Sequence, residues 1–178
     1  MQAAVVKILE DKVVNQIAAG EVVERPVSIV RELVDNSIDA GADSIEVEIL
    51  EGGQSLIRVR DNGTGMSNSD AELCFKRHAT SKISKVEDLQ DISSLGFRGE
   101  ALSSIAAVSK VVLRTKSDSH NIGCELTLEE GQQQKLVSWN GARGSEFEVT
   151  RLFANLPARK KFLKSPRSDS ARILDWLY

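Results

Sequence analysis

A chain of 178 residues with 41% apolar and 28% charged side chains can bury a real core in one ordinary domain, and it lacks the composition of a disordered protein. Its net charge of -3 excludes a surface that coats nucleic acid all over, though not a local basic patch. Cys74 and Cys124 lack metal-ligand spacing, only His78 and His120 are present, and no apolar run reaches membrane-spanning length, so a histidine-rich metal site and a membrane span are excluded. Low cysteine use and an N-terminus without a signal-like segment imply a reducing compartment, cytosolic or nuclear.

In chain order, residues 5–20 read as a short amphipathic opening closed by Gly20. Pro26 suits the first turn of the next helix, which runs to about Ala40 with Gly41 as its stop. Val30, Leu33, Val34 and Ile38 form its apolar side. Residues 44–49 and 56–60 alternate as half-buried strands, joined by Glu51-Gly52-Gly53-Gln54 into a hairpin. A turn, Asp61-Asn62-Gly63-Thr64-Gly65, ends the second strand, and a helix follows over 69–76. Residues 77–99 read as polar loop with one short turn near Val86 to Leu89. The next helix covers 99–107, with Ala101, Leu102, Ile105 and Ala106 inward. Strands are predicted over 109–115, 122–128, 134–139 and 145–150, with connections too short for crossover helices. A last helix starts at Ser168-Asp169-Ser170, and its abrupt end at Trp176-Leu177-Tyr178 reads as an interruption of a longer chain. The economical architecture is α+β, one layer of helices on one mixed, mainly antiparallel sheet.

Chemistry concentrates in four places. Glu32, Asn36 and Asp39 lie at i, i+4 and i+7, stacking two acids and an amide along one helical stripe. Such a stripe fits a wet cleft, where one group manages a water and another a metal or phosphate; it also fits a plain solvated face. Asp61, where a strand meets a glycine turn, can accept a hydrogen bond from the amino group of a base, and Gly63 and Gly65 permit close approach of a ring or phosphate. Asp-Asn-Gly is equally suited to a simple Asx turn. Gly96-Phe97-Arg98-Gly99 precedes a helix, an arrangement that offers free N–H groups to an anion or merely starts the helix. Arg77-His78-Ala79-Thr80-Ser81-Lys82 adds charge and hydroxyls suited to phosphate, or to a solvated connection. No GxxxxGK[ST] occurs and no GxGxxG follows a strand, so any nucleotide is held by another geometry.

In this order, Glu32 to Ala40, Asp61-x-Gly-x-Gly65, Arg77 to Ile83 and Gly96 to Leu102 closely resemble the ATP-binding domain of the MutL family of DNA mismatch repair proteins. Gln16-Ile17-Ala18-Ala19-Gly20-Glu21-Val22-Val23-Glu24-Arg25-Pro26 and Leu156-Pro157-Ala158-Arg159-Lys160-Lys161-Phe162 extend the resemblance over about residues 8–178. The family sits in a wider group with DNA gyrase B, the Hsp90 chaperones and histidine kinases. Membership implies a Bergerat-type fold, with ATP between the helices and a mobile lid. By position, the resemblance makes Glu32 the general base, Asn36 the Mg²⁺ ligand, and Asp61 the acceptor for the adenine amino group, with Gly65 lining the base pocket. Thr80, Ser81 and Lys82 fall in the lid, and Gly96, Phe97, Arg98 and Gly99 cradle phosphates. Gly144-Ser145 matches a common Gly-Thr pair and supports the base-binding floor; Ser145 keeps the hydroxyl. Asp35 departs from a common glutamate but points off the Glu32 stripe.

The resemblance further implies ATP-dependent dimerisation, with DNA and a mismatch-recognition protein as partners. It implies more chain beyond Tyr178, including a lysine that completes the ATPase, so residues 1–178 are expected to be one ATP-binding domain with weak or no turnover. A location in the cytoplasm follows if the source is bacterial, and in the nucleus if eukaryotic. A related topoisomerase or chaperone, and a nucleotide-gated scaffold without useful turnover, remain the competing readings. Residues 151–178 carry seven bases against two acids, a candidate phosphate-contact patch or a contact with following chain.

Overall fold

The computed structural model describes residues 11–79 and 99–178. Helix α1 spans Asp11–Val22 and α2 Pro26–Asp39, followed by strands β1 (Ile45–Leu50) and β2 (Leu56–Asp61). Then come α3 (Asn68–Leu73), α4 (Ala101–Ala107), β3 (Lys110–Lys116), β4 (Gly123–Glu129), β5 (Gln132–Trp139), β6 (Gly144–Thr150), α5 (Pro157–Lys161) and α6 (Pro166–Leu177). The strands form one sheet in the order β1-β2-β6-β3-β4-β5, and every pairing among the described residues is antiparallel. This is the expected α+β class, with β6 inserted between β2 and β3.

Alternation decides which face of the sheet meets the helices. Val111 and Leu113 of β3, Leu126 and Leu128 of β4, and Phe147 and Val149 of β6 are buried, as are Ile57 and Val59 of β2. Ile29, Val30, Leu33 and Val34 of α2 and Ile105 of α4 cover them in the same core cluster. The outward positions carry charge: Arg58 bonds Glu48 and Glu148, while Arg114 bonds Glu125 and Glu146. Helix α6 braces this assembly from one end. Gln54 Nε2 donates to the Lys164 carbonyl at 2.8 Å and to the buried Asp169 carboxylate at 2.9 Å, and the Arg31 guanidinium of α2 lies 5.8 Å from the Trp176 ring centroid.

Several placements differ from expectation. Gly20 does not close α1, which continues to Val22; the glycine is buried and the Arg159 guanidinium packs where its side chain would be. Ile38 is not on the inward side of α2 but 55% exposed, because in the last turn Ser37 takes the inward position. Helix α3 ends at Leu73, sooner than the expected residue 76. The α6 cap is Ser165, whose side chain accepts the Ser168 N–H, with Pro166 at the first turn, so the helix begins earlier than Ser168. In α4, Ile105 and Ala106 are buried as expected, whereas Ala101 and Leu102 are only half-buried. The loop turn near residues 86–89 lies outside the described residues.

Candidate functional site

Strand register brings the site together. Asp61 of β2 faces Ser145 of β6, and Ser145 faces Thr115 of β3. All three are buried, at 7%, 7% and 0% exposure, and form a polar row at one end of an otherwise apolar inner face. The next inward row is Val59, Phe147 and Leu113. A polar row there is stable only if its groups are paired.

They are paired in a way that leaves acceptors over. Asp61 Oδ1 accepts the Gly63 N–H at 2.9 Å and the Ser145 N–H at 3.2 Å. Asp61 Oδ2 accepts from Ser37 Oγ at 3.1 Å, and that one hydroxyl proton is shared with the Leu33 carbonyl at 3.0 Å. Oδ2 therefore retains most of its accepting capacity. Thr115 Oγ1 accepts the Met66 N–H at 2.9 Å and lies 3.0 Å from both the Gly144 carbonyl and Ser145 Oγ. The carbonyl can only accept, which assigns the Thr115 proton to it and makes Ser145 the donor within the hydroxyl pair. Asp61 Oδ2 and Ser145 Oγ thus remain as acceptors. Such an edge selects a ligand with a hydrogen-bond donor, such as an amino group, and disfavours an oxo group.

The turn after Asp61 is held on both sides. Asn62 Oδ1 accepts the N–H groups of Asp43 and Ser44, both at 3.1 Å, and the Thr64 N–H donates to the Ala40 carbonyl at 3.0 Å. Gly65 has φ +63°, and a Cβ there would overlap the Lys116 carbonyl; the glycine is required by close approach of protein backbone. Gly144, at φ +110°, is likewise pressed against the Asp61 backbone.

Helix α2 supplies the other half. Glu32 and Asn36 are half-buried one turn apart, Asp35 is buried and Asp39 is exposed. Ser37 ties Asp61 to the C-terminal turn of α2, beside Asn36, so Glu32 lies farther toward the helix N-terminus, by about 7.5 Å from Ser37 at 1.5 Å per residue. The oxygen-bearing pair Glu32 and Asn36 could contribute to holding a hard cation. Among the described residues no group of three or more His, Cys, Asp or Glu side chains could hold a metal by itself. Burial pushes the Cys74 thiol up to about 12 and raises Cys124 as well, which keeps both as neutral thiols and unfit as nucleophiles.

The profile of the histidine kinase-, DNA gyrase B- and HSP90-like ATPases matches residues 24–154. The chain belongs to this ATPase family. Within the family the resemblance is to MutL. The DNA mismatch repair protein MutL of Caldanaerobacter subterraneus subsp. tengcongensis is 54% identical over 96% of this chain, and the chain spans 29% of that protein. The Aquifex aeolicus MutL ATPase domain complexed with ADP is 36% identical, with a TM-score of 0.66 over 86% of this chain and 53% of that one. An N-terminal domain of a DNA repair protein is 32% identical, with a TM-score of 0.76 over 92% of this chain and 47% of that one.

Against this ATPase fold the predicted residues fall into two groups. Glu32, Asn36, Asp61 and Ser145 stand on α2 and the adjoining ends of β2 and β6, with Gly65 in the turn beyond. Thr80, Ser81, Lys82, Gly96, Phe97 and Arg98 lie outside the described residues. Of their neighbours, Arg77 is exposed, while the Gly99 carbonyl accepts the His78 N–H at 3.1 Å. His78 Nδ1 is 3.6 Å from Glu100 Oε1. Sequence reasoning missed Ser37 and Thr115. The available signal was a hydroxyl at an inward position, next in step after Val30, Leu33 and Val34 in one case and after Val111 and Leu113 in the other.

Proposed function

We propose that this chain binds ATP with its adenine at Asp61 and hydrolyses it with Mg²⁺ as a conformational switch in DNA mismatch repair. The observation that carries the reading is the buried Asp61 carboxylate, with Oδ1 saturated by two backbone N–H groups and Oδ2 left to accept from an amino group. The likeness to a MutL ATPase domain complexed with ADP supports the same ligand class.

With adenine at Asp61, the phosphates extend beside α2 toward Asn36 and Glu32. Asn36 would hold Mg²⁺ through its side-chain oxygen, a hard donor of the kind such a cation takes. The bound ion supplies charge neutralisation at the phosphate oxygens. Glu32 takes the proton of the attacking water, and its place on a rigid helix one turn from Asn36 keeps the two roles in register. Ser145 and Gly65 shape the base pocket. Thr80, Ser81, Lys82, Gly96, Phe97, Arg98 and Gly99 are the proposed phosphate contacts, by their likeness to the family's motifs.

The proposal extends to the longer protein of which relatives are examples. ATP-dependent dimerisation, DNA and a mismatch-recognition protein are its proposed partners, and the cytoplasm its location, as befits bacterial relatives. Exposed Lys160, Lys161, Lys164, Arg167 and Arg172 offer phosphate contacts to DNA. No helix among the described residues is long and apolar enough to cross a membrane. Residues 1–178 alone are expected to bind nucleotide and turn it over slowly.

The test pairs binding with turnover. Calorimetry should find Mg²⁺-dependent ATP binding by residues 1–178. In the longest product of the same gene, Glu32→Gln should retain binding and lose roughly 10²–10⁴-fold in hydrolysis. Unchanged hydrolysis in that variant rejects Glu32 as the base.

A further inference from the structure

We propose that Arg143 is a positioning residue for base recognition: it clamps the Asp61 turn from the β6 side and thereby sets the selectivity of the site for adenine over guanine. The inference rests on the reading of Asp61 as the base acceptor.

Arg143 stands immediately before Gly144 and Ser145, at the entry to β6. Its Nε donates to the Gly63 carbonyl at 2.9 Å, and its Nη1 is 3.0 Å from Asp118 Oδ2 in the connection between β3 and β4. One guanidinium therefore bridges the Asp61 turn and the β3–β4 connection, with its fork held in a fixed plane.

The contact acts on Asp61 through a single residue. The N–H of Gly63 donates to Asp61 Oδ1, and the carbonyl of the same residue receives Arg143. The peptide that follows is gripped at both ends, since its carbonyl meets Arg143 and its N–H, from Thr64, meets the Ala40 carbonyl. With that peptide plane fixed, Gly63 keeps its N–H on Oδ1. Ser145, two residues from Arg143, supplies the second N–H to the same oxygen. The two N–H bonds to Oδ1 thus come from a residue that Arg143 contacts and from one two positions beyond it, while Ser37 Oγ of α2 holds Oδ2. Without the clamp, only the Ala40 contact holds the 63–64 peptide, Gly63 loosens its hold on Oδ1, and the carboxylate is left with the Ser145 N–H and Ser37 Oγ. A carboxylate held by two bonds in place of three still accepts from an amino group but presents its edge less sharply, so affinity and selectivity fall together.

The experiment measures ADP and GDP affinities calorimetrically, with melting temperature, for residues 1–178 and for the Arg143→Ala, Arg143→Lys and Asp118→Ala variants. Arg143→Ala should lose about fivefold to tenfold in ADP affinity with little change for GDP, so the ADP:GDP ratio falls by the same factor. Arg143→Lys reaches Gly63 or Asp118 but not both, and should fall between. Asp118→Ala leaves the Gly63 contact and should lose least. A lowered melting temperature with an unchanged ratio in both Arg143 variants would mean a merely structural role and would overturn the proposal alone. A parent chain that binds no ADP, or binds ADP and GDP equally, would overturn the adenine reading and this proposal with it.

Discussion

Ser37 Oγ donates to Asp61 Oδ2 at 3.1 Å, joining the last turn of α2 to the end of β2. This contact makes one site of two elements that the chain separates by 24 residues. It also explains the rotation of the helix: a hydroxyl at the inward position meets the carboxylate, and Ile38 is turned outward. Ser37→Ala should cost about 1–3 kcal/mol in stability, since an alanine fills the same space but the buried Asp61 carboxylate loses a donor. ADP affinity should fall severalfold, because Oδ2 loses the group that orients it. Chemical denaturation and calorimetry measured side by side check both; a large loss of stability with unchanged affinity would reject the orienting role.

Asp61→Asn inverts the chemistry of the edge. Two backbone N–H groups face Oδ1, so the amide oxygen must sit there and the amide nitrogen must replace Oδ2. That nitrogen is a donor, and it would confront the adenine amino group. Calorimetry should show ADP binding lost by at least about 100-fold, the scale on which a site rejects a ligand that leaves buried polar groups unpaired. GDP, with an acceptor at the same ring position, should lose little or gain. Equal losses for the two nucleotides would argue against a base-reading role.

Gly65 and Gly41 have nearly the same backbone, φ +63° and +69°, but different surroundings. A Cβ at Gly41 meets nothing within 4 Å, whereas one at Gly65 collides with the Lys116 and Gly144 backbone. Gly41→Ala should therefore cost only the left-handed conformation, about 1–2 kcal/mol. Gly65→Ala adds displacement of the β3 end, and should cost at least about 2 kcal/mol more than Gly41→Ala together with loss of nucleotide binding. Urea unfolding of the two variants gives the comparison directly.

The local parts of this arrangement were legible in the chain. Ile45, Val47 and Ile49 alternate with Glu46 and Glu48, and Gly52-Gly53 follows, so the first hairpin and the placing of Asp61 at its far end come from short-range pattern. Helical spacing put Glu32 and Asn36 on one stripe, while their proposed roles came only from the resemblance to the family. The polar row Asp61, Ser145 and Thr115 was not legible, because it exists only once β6 inserts between β2 and β3, a pairing across more than 80 residues that leaves no local mark. Ser37 and Thr115 were missed for a related reason: within one element, a lone hydroxyl among apolar residues looks like a tolerated defect. Its partner on another strand is what gives it a role. The Ser165 cap was displaced by a second serine cluster at Ser168 and Ser170, both plausible starts until Pro166 is counted as the first helical turn.

The outer face of the sheet yields a pH prediction. Arg114 lies between Glu125 on β4 and Glu146 on β6, at 2.7 and 2.6 Å, in a partly shielded setting. The Arg114 hydrogen bond holds the Glu125 carboxyl below its ordinary range, against the opposing effect of burial. Burial acts to lower Arg114, but its hydrogen bonds and attraction to Glu125 and Glu146 together raise it, so it stays charged throughout. A carboxyl depressed on folding binds its proton more readily in the unfolded chain. Its contribution to stability is therefore complete above the unfolded value near 4.5, and is lost as pH falls through the lower folded value. Arg114→Ala should destabilise the protein at pH 7, and the gap from the parent should close as pH drops below about 4. Thermal melts of the two proteins across pH 3 to 7 test this; a gap that stays constant down to the acid limit would mean that Arg114 stabilises by packing its stem across the strands rather than by its charge.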